Sequence, residues 1–552
     1  MEDDSFYVTL PSNSSSKIYP ENTISSYTTK LAKAVHLSGA YEVALTEIQY
    51  PHTWNTFDAF EGNFYAAKHN EPLEVYHVKS GFYPNIQKLV GTVNARIESL
   101  SLSTPAYRIR YDDLRREVMA FIHDASIECA KSELDIFTVP PTQTSVEKSV
   151  FVEVQPIAAL ADNVPLEFFI SGSGEYYYDL NNTLLNVLCR ILKQDGTVLA
   201  AGTRVGLINY PIATLFNQVD ITLGDRLISQ SDNLYSFRAY IETLLNYSTQ
   251  ALRSQFTAGL FYKDTAGHHQ TTGENQNYGF TRRAHATRLS RPVELVGPIF
   301  GDIFNQPKLI LNGLDLKIKL SRNNDSFCLM SPEQEQFKVQ IVNAALYVKR
   351  VQVSPAVRIG HSQALLSSPA KYALDMACLK VYSIPGGARN SNHENLFLGQ
   401  IPKTVILCFV DNEAFSGSYQ KNPLCFHHYR IKHSALYLDG QQIPAKPFHP
   451  NFDAEHAVRE YMALVHISGK QKANAGLSID RDDFMSGYTF FAFDLSPDQD
   501  PSAHFSLIKT GNLPAEIHFA DATPHTVNMI VYAGNMAVLE INQRREVLYD
   551  FN

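Results

Sequence analysis

With 552 residues, a formal net charge of −9, and hydrophobic and charged fractions of 44% and 19%, the chain has material for about three to four globular domains. The acidic balance excludes a generic nucleic-acid coat built on basic tails, because phosphate binding rests on Lys and Arg, yet it leaves room for contact through one local patch. The polar start Met1-Glu2-Asp3-Asp4 is unlike a secretory signal, and no apolar run is long enough to predict a membrane helix.

The first 130 residues read as an α+β module. Phe6–Leu10 is a strand-like run, Tyr41–Ile48 alternates as a half-buried strand does, and Ile86, Leu89, Val90, Val93 and Ile97 recur at helical spacing after Pro84-Asn85. Residues 131–149, with Pro140-Pro141 and a Thr/Gln/Ser cluster, read as a linker. From about residue 150, short β runs alternate with turns: Pro165–Ile170 breaks at Ser171-Gly172-Ser173-Gly174, and Leu184–Ile191 at Gln194-Asp195-Gly196. Such spacing predicts a mainly β sandwich or jelly roll. The 29 Tyr and 32 Phe against the single Trp54 agree with it, since flat rings pack across pleated strands. One helix is predicted over Leu234–Tyr247, where Leu234, Phe237, Ile241 and Leu244 share a face and Asp232 can cap.

Asp264–Gly279, which contains Gly267, His268 and His269, reads as a long exposed loop, a length that is usually functional or disordered. Strands resume at Pro307–Leu311. A first unit, 150–335, closes near Met330. A second, 336–552, opens at Phe337–Ile341 and ends in two strands, Val527–Tyr532 and Ala537–Ile541.

The two units echo one another. Val219–Ile228 and Ala435–Ile443 each read as strand, tight turn, strand, and each precedes an amphipathic segment with a matching Arg and Tyr, Arg238-Ala239-Tyr240 and Arg459-Glu460-Tyr461. Leu314, Ile318 and Leu320 find counterparts in Leu513, Ile517 and Phe519. Three matches in one order predict a duplicated unit of about 200 residues.

Catalytic chemistry is hard to find. Phosphate-loop, dinucleotide, nucleophile-elbow and zincin patterns are absent. The six cysteines are isolated and none forms a Cys-x-x-Cys pair, so they read as reduced, buried thiols. His427-His428 would point to opposite faces of a strand and could not share a metal. His268-His269 reads as solvated, and so do the acidic runs Asp411-Asn412-Glu413 and Asp480-Arg481-Asp482-Asp483, which do not fit an EF-hand. One basic patch remains, Arg282, Arg283, Arg288 and Arg291, suited to phosphate, to an acidic partner or to a neighbouring copy, or else a solvated edge. No cofactor, metal or enzymatic activity is expected.

Phe237–Tyr247, Phe261–Gly267, Asn392–Gln400 and Asp439–Pro444 resemble the major capsid protein of Polinton (Maverick) elements and adintoviruses, over roughly residues 132 to 552. The resemblance implies a double jelly roll: two eight-stranded β sandwiches in tandem, assembled as trimers into pseudo-hexagonal capsomers of an icosahedral virion around double-stranded DNA. It also implies penton and minor capsid proteins as partners, and assembly inside a host cell. The first 130 residues depart from that pattern. Phe6–Ser15 and Tyr19–Thr23 are similar to the opening of other Polinton-encoded virion-type proteins, and the module would be a capsomer-linking arm, a genome-facing module or a decoration.

On that reading the capsomer loops are expected in Asp264–Gly279 and in Gly386–Asn395, with Gly386 and Asn392 as candidate contacts, because connections vary without disturbing the sheets. Two other readings stay open. Jelly rolls also host lectins and glycosidases, the latter needing two carboxylates across a groove, and the chain could be a cellular relic of an integrated element.

Overall fold

In the computed structural model of the protein, residues 142–549 are described, apart from 163, 230–231, 274–275, 498 and 500–508, together with four strands among the first 141 residues. The chain divides into two compact units, 1–141 and 142–552. In the first, β1 (Gly62–Ala66) pairs antiparallel with β2 (Glu74–Val78), and β3 (Tyr107–Asp112) with β4 (Glu117–Ile122). The strands predicted at Phe6–Leu10 and Tyr41–Ile48 and the helix around Ile86–Ile97 lie outside the described residues.

The second unit is built from two sandwiches. The first contains β5 (Val146–Val154), β6 (Leu166–Ile170), β7 (Tyr176–Lys193), the short β8 (Gly206–Leu207), β9 (Phe216–Leu223), β10 (Arg226–Leu227), β11 (Val293–Pro298), β12 (Leu316–Arg322), the short β13 (Leu329–Met330) and β14 (Phe337–Val353). The second contains β15 (Ala370–Ile384), β16 (Asn390–Gln400), β17 (Thr404–Asp411), β18 (Ile431–Leu438), β19 (Gln441–Phe448), β20 (Phe491–Asp494), β21 (Thr510–Phe519), β22 (Val527–Ile541) and the short β23 (Val547–Leu548).

The sheet orders settle the duplication. In the first sandwich the sheets run β5-β14-β7-β11 and β6-β12-β9-β10; in the second they run β15-β22-β17-β20 and β16-β21-β18-β19. Leaving out the short strands β8, β13 and β23, each sandwich has eight strands, and both follow one order: first-eighth-third-sixth in one sheet, second-seventh-fourth-fifth in the other. That is a jelly roll, made twice. The internal echoes fall on equivalent places. β12 and β21 are the seventh strands, with Ile318 and Leu320 inward on one and Ile517 and Phe519 on the other, while Leu314, buried like its counterpart Leu513, lies just before β12. The two hairpins are the fourth and fifth strands, and Asp439 and Gly440 turn the second one with φ of 51° and 77°, the left-handed pair that a two-residue hairpin demands.

Four sequence expectations shift. β5 begins inside the stretch 131–149 read as linker. The strand from Phe337, expected to open the second roll, is β14, paired with β7 and β5 of the first; the last strand of a jelly roll lies beside its first, so the first roll extends to Val353 and the helix Pro355–Ala364 leads to β15. The two final strands are one, β22. Pro307–Leu311 contributes only an isolated bridge from Ile310 to Tyr178.

The buried apolar side chains of both rolls form one continuous cluster, and the helix Tyr235–Asn246 lies at its centre. Its residues 235 to 245 are all buried. Phe237 stacks on Phe415 at 5.4 Å, and Tyr240 on Phe426 at 6.3 Å, both rings of the second roll. Burial also takes in charge: Arg238 Nε donates to Glu242 Oε1 at 2.9 Å, and its Nη2 to Asp302. Asp302 accepts from the Ala377 amide on β15 at 3.1 Å, and Glu242 from the Tyr532 hydroxyl on β22 at 3.4 Å. Burial alone would discharge the guanidinium, but Asp302 and Glu242 hold its pKa well above the ordinary value.

Arg238→Met would leave two carboxylates buried without a counter-charge, and should cost about 3–5 kcal/mol. Urea unfolding of full-length protein reads this directly. A change within about 0.5 kcal/mol, as for a surface residue, would mean that the triad is open to water.

Candidate functional site

The loop expected to be solvated is instead the second half of the joint between the rolls. Its closure begins with Asn277, the buried N-cap of the helix Tyr278–Thr287: Asn277 Oδ1 accepts from the Phe280 and Thr265 amides, both at 3.2 Å, while Nδ2 donates to the His268 carbonyl at 3.2 Å. Gly279 follows. A Cβ there would collide with the Tyr262 and Lys263 carbonyl oxygens, so glycine is what lets the helix start against the loop.

From that helix Arg283 reaches inward, fully buried. Nε donates to the Leu207 carbonyl at 2.8 Å, Nη1 to that of Tyr262, and Nη2 to Asp264 Oδ1 at 2.6 Å. Asp264 in turn binds the second roll: Asn422 Nδ2 donates to its other carboxylate oxygen at 3.1 Å, and the Tyr488 hydroxyl to its backbone carbonyl at 2.8 Å. The Gly267 amide donates to the Ser486 carbonyl at 2.8 Å, and Lys263 to Asp483 and, at 2.6 Å, to the Ser478 carbonyl.

The predicted basic patch is therefore not one patch. Arg283 is structural, because two backbone carbonyls and a carboxylate satisfy its fork away from water. Arg282, Arg288 and Arg291 stay exposed, with Arg282 over the Tyr262 and Tyr278 rings at 5.5 and 5.9 Å. His268 and Gly267 are exposed, while His269 and Gly279 are buried. In the second roll, Gly386 is exposed in a short loop, whereas Asn392 lies on the edge strand β16, opposite Glu516, and not in a loop. The equivalent helix, Val458–Ile467, keeps Arg459 outside, over the Phe448 ring at 5.2 Å and donating to the Pro447 carbonyl at 2.8 Å.

The other candidate clusters find local roles. His427-His428 is not on a strand: His428 stacks on Phe452 at 4.0 Å, and His427 Nε2 lies 3.3 Å from the Cys425 thiol. Asp411 is buried and not solvated; it caps the helix Asn412–Ser416 and pairs with Lys421 at 2.7 Å. Asp480 and Asp483 form a capping box. The five cysteines among the described residues are buried. Sequence reading missed Asp264, Asn422 and Tyr488 as joint residues; they are far apart in the chain, and no local spacing marks them. A cleft of about 470 Å³ between the rolls is lined by Tyr177, Lys308, His361, Lys371, Tyr372 and apolar neighbours. None of its lining residues is a carboxylate, so it lacks the acid pair of a glycosidase.

His269 makes the joint acid-sensitive. Both its ring nitrogens are buried without a hydrogen-bond partner among the described residues, and burial lowers its pKa from 6.5 to about 4. A base with a lowered folded-state pKa leaves stability intact above the unfolded value and erodes it as pH falls from about 6.5 to about 4, by an amount on the order of 3 kcal/mol. His428, lowered by burial to about 4, acts in the same window, and burial lowers His427 as well. His269→Gln should flatten the fall of stability between pH 7 and 4 measured by urea unfolding; identical slopes for variant and wild type would rule out this assignment.

No family model matches the chain. A curated relative, "Uncharacterized protein F54H12.2" of Caenorhabditis elegans, is 24% identical over 427 residues, covering 75% of this chain and 99% of the relative. Among solved structures, the chain is similar to one in the cryo-EM structure of the Sputnik virophage, with a TM-score of 0.55 at 13% identity, covering 78% of this chain and 94% of that one. The Faustovirus major capsid protein aligns at a TM-score of 0.47 and 8% identity, over 82% and 97%. In fold, the chain is a double jelly roll.

Proposed function

We propose that this protein is the major capsid protein of a double-stranded DNA virus or virus-like element of the Polinton and adintovirus kind, and that it works by assembly. The observation that carries the reading is the pair of jelly rolls with one strand order, joined through buried charges into a single block. Three such blocks around a threefold axis present six similar corners from three chains. Closed symmetry fixes the trimer, and weaker heterologous contacts between trimers extend the lattice. The trimer interface would bury on the order of 2,000 Å² or more, with individually weak contacts between capsomers made strong by multivalency.

In this reading Gly386, Asn392 and the exposed part of the 264–279 loop are candidates for contacts between copies. Arg282, Arg288 and Arg291 are candidates for an acidic neighbour or for packaged DNA. Penton and minor capsid proteins would complete the virion. A relative encoded by a nematode favours one variation, an element resident in a host genome or its exapted relic. Genes for a packaging ATPase and a protein-primed polymerase beside this one would mark an active element.

Purified protein should run as a trimer in light scattering at micromolar concentration, and electron microscopy should show pseudo-hexagonal rings or shells. A stable folded monomer that binds glycans would replace this reading with the lectin one. Deleting residues 1 to 130, most of the separate compact unit 1–141, should leave the trimer intact and alter shell assembly; loss of the trimer would place that segment in the core fold.

A further inference from the structure

The outer face of the second roll carries a cluster that neither the joint nor the capsid reading uses. Along β21 the side chains alternate, with Ala515, Ile517 and Phe519 in the core and Glu516 and His518 on the other face. On the neighbouring strand β18 the register shifts between Ile431 and His433, which brings His433 opposite His518. The two imidazoles stack at 4.8 Å. His518 Nε2 lies 2.9 Å from Glu516 Oε1, and His433 Nε2 lies 3.8 Å from Glu516 Oε2. One ligand atom from each residue falls within 4.8 Å of the others.

An ion pair between His518 and Glu516 accounts for only part of this. It leaves His433 Nε2 buried, facing the carboxylate beyond hydrogen-bond reach and without a partner among the described residues. The Tyr437 hydroxyl meanwhile donates to Glu516 Oε2 at 2.6 Å and fixes the carboxylate from behind. A fourth group stands nearby: the His449 ring is 5.0 Å from that of His433, with Nδ1 held 3.2 Å from the Lys432 carbonyl oxygen.

We propose that His433, Glu516 and His518 form a binding site for a divalent transition metal of the zinc class on the outer sheet of the second jelly roll. Two imidazoles and a carboxylate suit zinc and its neighbours, whereas calcium and magnesium require oxygen ligands. Ligand bonds of about 2.0–2.1 Å in a tetrahedron place the ligand atoms roughly 3.3 Å apart. The observed separations bracket that spacing, so small side-chain rotations complete the site. Tyr437 supplies the outer-shell hydrogen bond that orients a ligating carboxylate. The fourth position is left to water. The ion ties β18 to β21 where their register slips, a stabilisation that the backbone ladder cannot supply there.

The test uses full-length protein stripped with EDTA and titrated with Co²⁺, followed by visible absorption and thermal unfolding. The expected result is one ion per chain with the ligand-field bands of tetrahedral Co²⁺, displacement by Zn²⁺, and a raised melting temperature. Glu516→Gln and His518→Gln should each remove the bands, Tyr437→Phe should weaken binding about 10–100-fold, and His285→Gln, an exposed histidine of the first roll, should change nothing. Absence of the bands in the wild type overturns the proposal whatever the variants do. Bands that survive both Glu516→Gln and His518→Gln, in variants whose metal-free melting stays cooperative, overturn it equally.

Discussion

The Arg283–Asp264 pair, sealed between the two rolls, is the constraint on which the outward shape of the second unit depends. A buried ion pair contributes little net stability, because desolvation offsets most of its attraction. Its contribution is directional. The guanidinium fork is satisfied only if the carbonyls of Leu207 and Tyr262 and the carboxylate of Asp264 converge, and the carboxylate only if Asn422 of the other roll is in place. An apolar joint of the same area would tolerate sliding. This one has few alternative arrangements, and the Arg238 triad repeats the constraint some way along the same seam. In the proposed assembly a fixed angle between the halves matters more than a tight one, since an error in each subunit accumulates around a closed ring.

The duplication has not left the halves equivalent. The helices Tyr235–Asn246 and Val458–Ile467 occupy the same topological place, between the fifth and sixth strands, yet the first is enclosed and the second is largely open, with only Glu460 and Leu464 buried. Arg238 therefore meets buried carboxylates, while Arg459 covers Phe448 and binds backbone carbonyls. One residue inherited twice has two fates because only one copy of its helix faces the partner roll. In the proposed trimer the six corners would be alike in outline and different in chemistry, which permits threefold order and opposes sixfold order.

What could be read from the sequence was local. The Ile318 and Leu320 positions on β12, the Asp439-Gly440 turn and the helical stripe of Leu234 to Leu244 are each set by neighbours within a few residues, and fall where expected, whereas Leu314 lies just before its strand. The phase of the repeat was not legible. A tandem duplication looks the same from any starting point, and only the pairing of β14 with β5, across nearly the whole roll, shows which strand closes it. Nor was the joint. Arg283 sits in a run of arginines that reads as solvated, and its burial is decided by acceptors supplied from residues 207, 262 and 264. Asn392 reads as loop because β16 is an edge strand, polar on its outer side and paired on one side only.

The same reasoning explains why the metal cluster escaped a search of spacings. Ligands within one loop or one helical turn announce themselves, but antiparallel strands bring together residues that are distant in sequence, and the only local trace is the alternation of Glu516 and His518 on one face. The remaining half, His433, depends on a shifted register that no pattern in β18 declares. In a β scaffold, sheet faces and joints are where chemistry can accumulate. Their residues are chosen by cross-strand neighbours, so function here is written in pairs of strands and becomes readable only once the pairing is known.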